Sequence, residues 1–363
     1  MEITSKILVY VALVGLVYAL YKAISLVFHY YAALNSTQNL VQLKIVLPRG
    51  DTQKDRQEEV EKDFREKIGI MSQFYRSLHE IRELDLRNRI KVFLFKLDIV
   101  SFELVCRNSL IEFHITTYKE YKDLIEKQVT SYYPTASIDI AEPYEIGKKG
   151  YYTKAYYAYT VRSNWRPTKM YKEIESDPLN GITNVLSKMA EDEMAVIQVC
   201  IRPRGSKWQK KARDYGSNLF KGKGEKSGFL SKIPILGYLN SAFVTLVFGY
   251  DKVKGNTDDS DRGDPIIRML AIDEEVAKNI GIKSAQVGFD TTIRLFTTAK
   301  DASRATEISN NISVAFNIFK DAASNWFQIR RILPIDALNN KIMLHSFVNR
   351  YFKFGEKSSV LVP

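Results

Sequence analysis

The sequence of 363 residues has little of the side-chain chemistry that disulfide-bonded or metal-binding proteins carry. It contains two cysteines, Cys106 and Cys200, and each lies in an apolar, strand-like segment. One possible pair in a chain of this length is not a disulfide framework, which favours buried, reduced thiols and a body that faces the cytosol. The four histidines are scattered and share no ligand spacing with the cysteines, so the sequence predicts no metal site.

Familiar catalytic and nucleotide-binding motifs are missing as well. The chain has no G-x-x-x-x-G-K-S/T, H-E-x-x-H, C-x-x-C, G-x-S-x-G or G-x-G-x-x-G. The run at 221–228 has the wrong spacing for a phosphate-binding loop, and the acidic run at 256–264 places Arg262 where a calcium ligand would stand. We therefore predict no catalytic residue and no cofactor, and we expect that the chain is not an enzyme.

Acidic side chains are too few to balance the basic ones. The chain has 53 Lys and Arg against 42 Asp and Glu, a net charge of +11. Such an excess suits a nucleic acid, an anionic membrane surface or an acidic protein as a partner, or serves solubility alone. The hydrophobic fraction of 45% is that of an ordinary globular protein, so a buried core is expected.

The basic excess is concentrated in residues 204–226, where the net charge is +6. A helix here would place Trp208 beside its lysines, which suits contact with nucleic-acid phosphates and little reading of bases. Anionic lipid headgroups suit the pattern equally, and a solvated basic helix is the third interpretation. The candidate binding residues are Arg204, Lys207, Trp208, Lys210, Lys211, Arg213, Lys221, Lys223 and Lys226.

Residues 7–21 carry no charged side chain, and after Lys22 the apolar character continues to Leu34. Because about 20 apolar residues cross a bilayer, we predict a transmembrane anchor in residues 1–34, with the span at about 4–26. No clean cleavage site follows, which argues against a signal peptide. The basic body and its free cysteines favour a single-pass protein of the inner (cytoplasmic) membrane whose body faces the cytoplasm.

The body shows the same order of elements twice, β-α-β-β-α-β. Residues 35–148 form the first series and residues 149–352 the second, with an insertion at 204–284 and a tail at 353–363. We therefore predict an α+β fold in which the transmembrane helix precedes two ferredoxin-like (βαββαβ) units.

Three local patterns refine this prediction. Thr117 and Glu120 have the spacing of a capping box, and Asp177 with Pro178 predicts a helix start. A terminal helix at about 335–351 is expected to point Leu338, Ile342 and Phe347 inward. The apolar segment 229–250 is interrupted by charged, proline and glycine residues, so we favour a core or subunit contact there over a membrane-surface segment.

Several stretches also resemble a known family. They are LKIVLP (43–48), MSQFYRSLHEI (71–81), SFELVC (101–106), IEFHIT (111–116), EKQVTSYYPTASI (126–138), DPLNGITNVLSKM (177–189) and AVIQVCIRP (195–203). In this order they resemble the N-terminal, non-ATPase region of membrane-anchored proteins of candidate-phyla bacteria. In that family the region precedes a hexameric ATPase domain akin to conjugation and type IV secretion motors. The resemblance covers about residues 35–352 and is strongest over 41–203.

This resemblance implies a cytoplasmic homo-oligomer around a membrane pore, an ATPase domain or subunit as a partner, and a role in moving DNA or protein. No residue matches the family's nucleotide site, and relatives continue beyond the position of Pro363. We therefore expect a membrane-anchored scaffold module of a type IV secretion-like DNA or protein translocation machine that organises or recruits an ATPase. The alternative is a membrane-tethered scaffold, unrelated to translocation, that binds anionic lipid or protein.

Overall fold

The chain forms one antiparallel sheet of nine strands in the computed structural model. The structure describes residues 13, 15–20, 24, 39–47, 64–79, 99–142, 144–147, 149–220, 271–350 and 356–363. The strands are β1 (Leu40–Val46), β2 (Val100–Arg107), β3 (Leu110–Tyr118), β4 (Ser137–Ile140), β5 (Tyr152–Thr160), β6 (Met194–Arg204), β7 (Gly288–Ala299), β8 (Phe327–Arg330) and β9 (Ser359–Leu361). Their order is β4-β1-β3-β2-β6-β7-β5-β8, and β9 pairs with the first residues of β7.

The prediction of two ferredoxin-like units is wrong, because the sheet runs without a break through both halves of the body. Strand β2 pairs with β6 along its whole length, from Val100 opposite Ile201 to Arg107 opposite Met194. Periodicity in a sequence shows which faces of a strand are buried, but not which edges pair. Joining these edges satisfies the backbone groups that two separate sheets would leave open.

The predicted membrane anchor needs correction too. Among the residues that the structure describes, none of the helices combines the length and the apolar character that crossing a membrane requires. This finding contradicts the transmembrane helix of the predicted fold and the single-pass location in the cytoplasmic membrane. Most of the predicted span at 4–26 lies outside the described residues.

Helices cover both faces of the sheet unequally. They are α1 (Phe64–Leu78), α2 (Lys122–Tyr132), α3 (Pro178–Leu186), α4 (Lys207–Phe220), α5 (Ala271–Ser284), α6 (Ala302–Ala315) and α7 (Asp336–Val348). Helices α1 and α2 pack on β1, β2 and β3, and α3 and α6 pack on β6 and β7. All four lie on the same face of the sheet, which we call the helical face. Alternate side chains of β2 point to one face, and these side chains pack with α1 and α2 as well as with α3 and α6. Helix α7 packs on the opposite face through Met343 and Phe347.

The local patterns in the sequence have mixed outcomes. The Asp177 side chain accepts a hydrogen bond from the backbone N–H of Leu179, with Pro178 at the first helical position, so this predicted helix start is confirmed. Thr117 is not a helix cap but a buried residue of β3. Leu338 is exposed, and its neighbour Asn339 is buried instead. The reason is hydrogen bonding: the Asn339 amide donates to the carbonyl of Ala155 and accepts from the backbone N–H of Ile332.

The face opposite the helical face carries a row of polar side chains, most of them buried. The row crosses five neighbouring strands, β1, β3, β2, β6 and β7, at directly opposed positions. Its members are Lys44, His114, Glu103, Gln198 and Arg294. Such a row is stable only when its charges are paired and its hydrogen-bonding groups are satisfied.

Two residues from the C-terminal part of the chain, Arg350 and Glu356, pair with the buried charges of Glu103 and Arg294. Arg350 donates two hydrogen bonds to the Glu103 carboxylate, at 3.0 and 3.1 Å, and Arg294 donates to the buried Glu356 at 2.6 and 2.8 Å. Gln198 joins the pairs, since its amide donates to Glu103 and accepts from Arg294. Burial raises the pKa of Glu103, but the charge and hydrogen bonds of Arg350 outweigh it and hold the pKa below its usual value. The carboxylate therefore stays ionised.

Replacing Arg350 with Met should be severely destabilising, because it leaves the Glu103 carboxylate buried without its cation. We expect the free energy of unfolding in urea at neutral pH to fall by about 3–5 kcal/mol. The double variant Glu103→Gln, Arg350→Met should lose less than the single one. As a control, Arg331→Met breaks the exposed pair with Asp336 and should cost under about 1 kcal/mol. Equal losses in Arg350→Met and the control would contradict this account.

Candidate functional site

The predicted binding residues lie at one end of the sheet, where α4 and α5 leave it. The last residue of β6, Arg204, pairs with the first residue of β7, Gly288. Helices α4 and α5 pack against each other beyond this pair, through Trp208 and Ala212 of α4 and Val276 and Ile280 of α5. The described part of the insertion is therefore a helical pair with its own small apolar core.

Trp208 belongs to that core. Its side chain is 2% exposed, and its ring stacks on Trp165 with the ring centroids 6.5 Å apart and the planes at 10°. A Cβ atom at Gly288 would lie 2.5 Å from the Trp208 ring, so only glycine allows this approach. The sequence placed this ring beside the lysines. Instead it begins the buried stripe Trp208, Ala212 and Gly216, and it is not available to a ligand.

The lysines of α4 lie on the opposite side of the helix and are exposed. Lys207, Lys210 and Lys211 share this solvent side with one acidic residue, Asp214. We call the three lysines the basic face. Because the apolar stripe of α4 is fixed against the sheet and α5, the basic face is held on a rigid support.

Arg204 and Arg213 are placed differently from the lysines. Arg204 donates to the Asp290 carboxylate at 2.5 Å, and Arg202 contacts the same carboxylate at 3.1 Å. The Arg204 guanidinium also lies 5.8 Å from the centroid of the Trp165 ring, so this arginine is part of the support. Arg213 faces α5. The predicted residues Lys221, Lys223 and Lys226 lie outside the described residues.

The sequence missed one cation beside the basic face. Arg76 of α1 donates to the side-chain oxygen of Gln286 at 2.7 Å, and Gln209 of α4 donates to the backbone carbonyl of the same Gln286 at 2.9 Å. Arg76 is therefore brought to the first turn of α4 although it is far away in the chain. Nothing in the local sequence around it indicates this, because the contact depends on the sheet that places α1 next to β7.

An open groove of about 710 Å³ runs along the surface where α4 and α5 meet. Its lining includes Arg213, Gly216 and Phe220 of α4 and Glu274, Glu275 and Lys278 of α5. The charges are mixed, so the groove has no preference for one sign. In the part of the chain that the structure describes, no group of His, Cys, Asp and Glu is arranged to hold a metal ion.

Lys283 fixes the end of α5 to the loop that follows β5. It is 3% exposed, and its ammonium group donates to the backbone carbonyls of Asn164 at 2.9 Å and Arg166 at 3.4 Å. Burial lowers its pKa to about 7. Arg166 in turn donates from Nε to the hydroxyl of Tyr215 in α4. The segment around Asn164 and Arg166 thus holds both helices.

The described residues define an α+β domain on one antiparallel sheet, with a helical insertion that carries a basic face. Residues 59–357 match the model of a family described as a domain of unknown function (DUF8128), and the chain belongs to this family. No curated protein matches the chain. The terms type IV secretion and conjugation, assigned from the resemblance, find no support in these comparisons, and the identity of the chain as a relative of those motors stays a prediction.

Gly288→Ala should disturb the support of the basic face, because the added methyl group meets the Trp208 ring. We expect a loss of about 1–3 kcal/mol in the free energy of unfolding and a change in the near-UV circular dichroism of the Trp165–Trp208 pair. Gly281→Ala is the matched control, since a Cβ there meets nothing within 4 Å and alanine favours a helix. A Gly288→Ala variant as stable as Gly281→Ala would contradict the close approach.

Lys283 should make stability depend on pH above neutrality. Its pKa is about 7 in the folded chain and about 10.4 when unfolded, so the unfolded chain binds more protons between these values. Stability from this group should therefore rise with pH through this window. Lys283→Met should flatten the rise, as measured by the urea midpoint from about pH 6 to 9. Lys341→Met, which changes an exposed lysine, should keep the wild-type slope.

Proposed function

We propose that this chain is a non-catalytic scaffold domain that binds nucleic acid through the basic face of α4. The observation that carries the proposal is the division of α4 into two sides. One side is locked into the protein by Trp208, and the other presents Lys207, Lys210 and Lys211 to solvent on a rigid helix. Pre-positioned cations of this kind contact the phosphate backbone and give affinity without sequence preference.

Nucleic acid is favoured over a lipid surface because the basic face of α4 is separate from the apolar stripe of the helix, and that stripe is already buried. A helix that lies in a membrane interface buries its apolar side among the lipid chains. In α4 the apolar stripe of Trp208, Ala212 and Gly216 already packs within the protein. The basic face therefore offers a partner charge, and the most regular array of negative charge is a nucleic-acid backbone.

The scaffold part of the proposal is supported by the long continuous sheet, which offers extended surfaces and fixed geometry. The finer role, organising or recruiting an ATPase of a DNA or protein translocation machine, is supported by the sequence resemblance alone.

The test is binding of the triple variant Lys207→Gln, Lys210→Gln, Lys211→Gln to labelled DNA, followed by fluorescence anisotropy over a series of salt concentrations. We expect weaker binding to single strands and duplexes. The slope of log K against log salt should fall by up to about 3 for duplex DNA, because each phosphate contact contributes about 0.9. The matched control is Lys127→Gln, Lys188→Gln, Lys341→Gln, which removes the same charge from exposed positions elsewhere.

The outcomes are distinct. Equal losses in the two triple variants would show that only net charge matters and would contradict a site on α4. Binding to anionic vesicles without binding to DNA, lost in the α4 variant, would replace nucleic acid with lipid as the partner. Unchanged binding of the α4 variant to both DNA and anionic vesicles would contradict the proposal.

A further inference from the structure

The two outer strands of the sheet are short, and no other described strand pairs with their outer edges. Among the described residues, the row of strands ends at β4 on one side and at β8 on the other. Open edges carry unpaired backbone groups that can pair with another strand. Strand β4 has the sequence SIDI, which contains neither proline nor lysine, and it exposes 69% of Ile140.

We propose that β4 of one copy of this chain pairs with β8 of a second copy, in an antiparallel arrangement that continues the sheet from copy to copy. One chain cannot close on itself in this way. The eight strands of the row are about 4.8 Å apart, which separates β4 from β8 by roughly 34 Å. The partner strand must therefore come from another molecule.

Strand direction agrees with this pairing. Every neighbouring pair in the row is antiparallel, and the row contains eight strands. With an even number of strands, β8 of one copy and β4 of the next have opposite directions when both copies keep their helical faces on the same side. The alternation then continues across the junction without a break.

Backbone hydrogen bonding selects the register. The N–H of Ala141 donates to Gln42 of β1, so in the alternating pattern of an antiparallel strand the backbone groups of Ile138 and Ile140 point outward. The N–H of Val161 donates to Trp326 beside β8, so Phe327 and Ile329 point outward from that strand. Placing Ile140 opposite Phe327 puts Ile138 opposite Ile329. The outward backbone N–H and C=O groups of these four residues can then form hydrogen bonds across the junction.

The same register matches the side chains. Ile138 is packed against the core on the helical face, and Phe327 and Ile329 are packed against it at the other edge. The exposed Ile140 would lie on this face beside Phe327 and would be covered by its ring. Two independent criteria, hydrogen bonding and apolar contact, thus select one alignment.

The edges are also complementary in charge. Strand β4 contains the exposed Asp139 and is followed by the exposed Glu142 and Glu145, and β8 ends in the exposed Arg330, next to Arg331, which pairs with Asp336. In the proposed register Asp139 is the diagonal neighbour of Arg330 on the face opposite the helical face, within reach of a long side chain. Opposite charges at this position favour the contact between different edges and disfavour pairing of like edges.

A contact between two different edges is heterologous, so it builds a ring or an open row of copies. Four paired residues bury a small area, and the assembly should be concentration-dependent. We would measure it by sedimentation velocity of the full chain over a wide concentration range. The expected result is reversible growth beyond the monomer, and a chain that stays monomeric at every concentration would overturn the proposal.

Variants assign the contact to the edges. Ile140→Pro removes an outward N–H that the pairing of β4 with β1 does not use, and it should abolish assembly while the unfolding midpoint stays near that of wild type. Asp139→Arg alone and Arg330→Asp alone should each be monomeric, because each places like charges at the junction. An equimolar mixture of these two variants should assemble again. The introduced arginine of one variant then meets the introduced aspartate of the other, and the unchanged edges also match.

The control is Glu175→Lys, an exposed charge reversal away from both edges, which should assemble as wild type does. Loss of assembly in this control, persistence of assembly in Ile140→Pro, or failure of the mixture to recover would each overturn the edge pairing. The proposal is independent of the basic face, since α4 takes no part in either edge.

Discussion

The pairing of β2 with β6 is the constraint on which the rest of the structure depends. Glu103 and Gln198 are 95 residues apart in the chain, yet the register of the two strands places them directly opposite each other. That neighbour relation joins the ion pair of Glu103 with Arg350 to the ion pair of Arg294 with Glu356, so that one polar row crosses the centre of the sheet. The buried charges of Glu103 and Arg294 are tolerated because each has a partner, and both partners, Arg350 and Glu356, come from the C-terminal part of the chain. The central strands and the last residues therefore depend on each other for satisfied burial.

Local features of the fold were predictable where the signal lies within a few residues. Asp177 followed by Pro178 is a helix start in the sequence and in the structure, because the cap needs only its own backbone neighbours. The predictions failed where a residue distant in the sequence determines the local structure. Thr117 has the spacing of a cap but is taken by strand β3, and Asn339 is buried in place of Leu338 because it bonds to β5. The pairing of β2 with β6 is the most important failure of prediction, because nothing in the sequence near a strand indicates which other strand it pairs with.

The candidate site shows the same division between local and distant information. The excess of lysine in α4 was visible in the composition, and three of those lysines do share an exposed side. The role of Trp208 was not visible, because it depends on Trp165, more than 40 residues earlier, and on the missing side chain of Gly288. Arg76 reaches the same place only through Gln286. The sequence thus predicts the charge of α4 well, but the packing that holds and orients the lysines depends on the tertiary structure.

The pairing of Arg204 with Gly288 has a consequence for how this family can diverge. The chain leaves the sheet at one of these residues and returns at the other, and paired residues are only about 5 Å apart. Apart from the packing of α4 and α5, the sheet therefore requires of the intervening segment only that its two ends meet. Loop-closure entropy grows slowly with length, so segments of very different size are compatible with the same nine strands. Evolution is free to exchange or lengthen this segment while the two halves of the body stay in register, which makes it the natural place for relatives to differ.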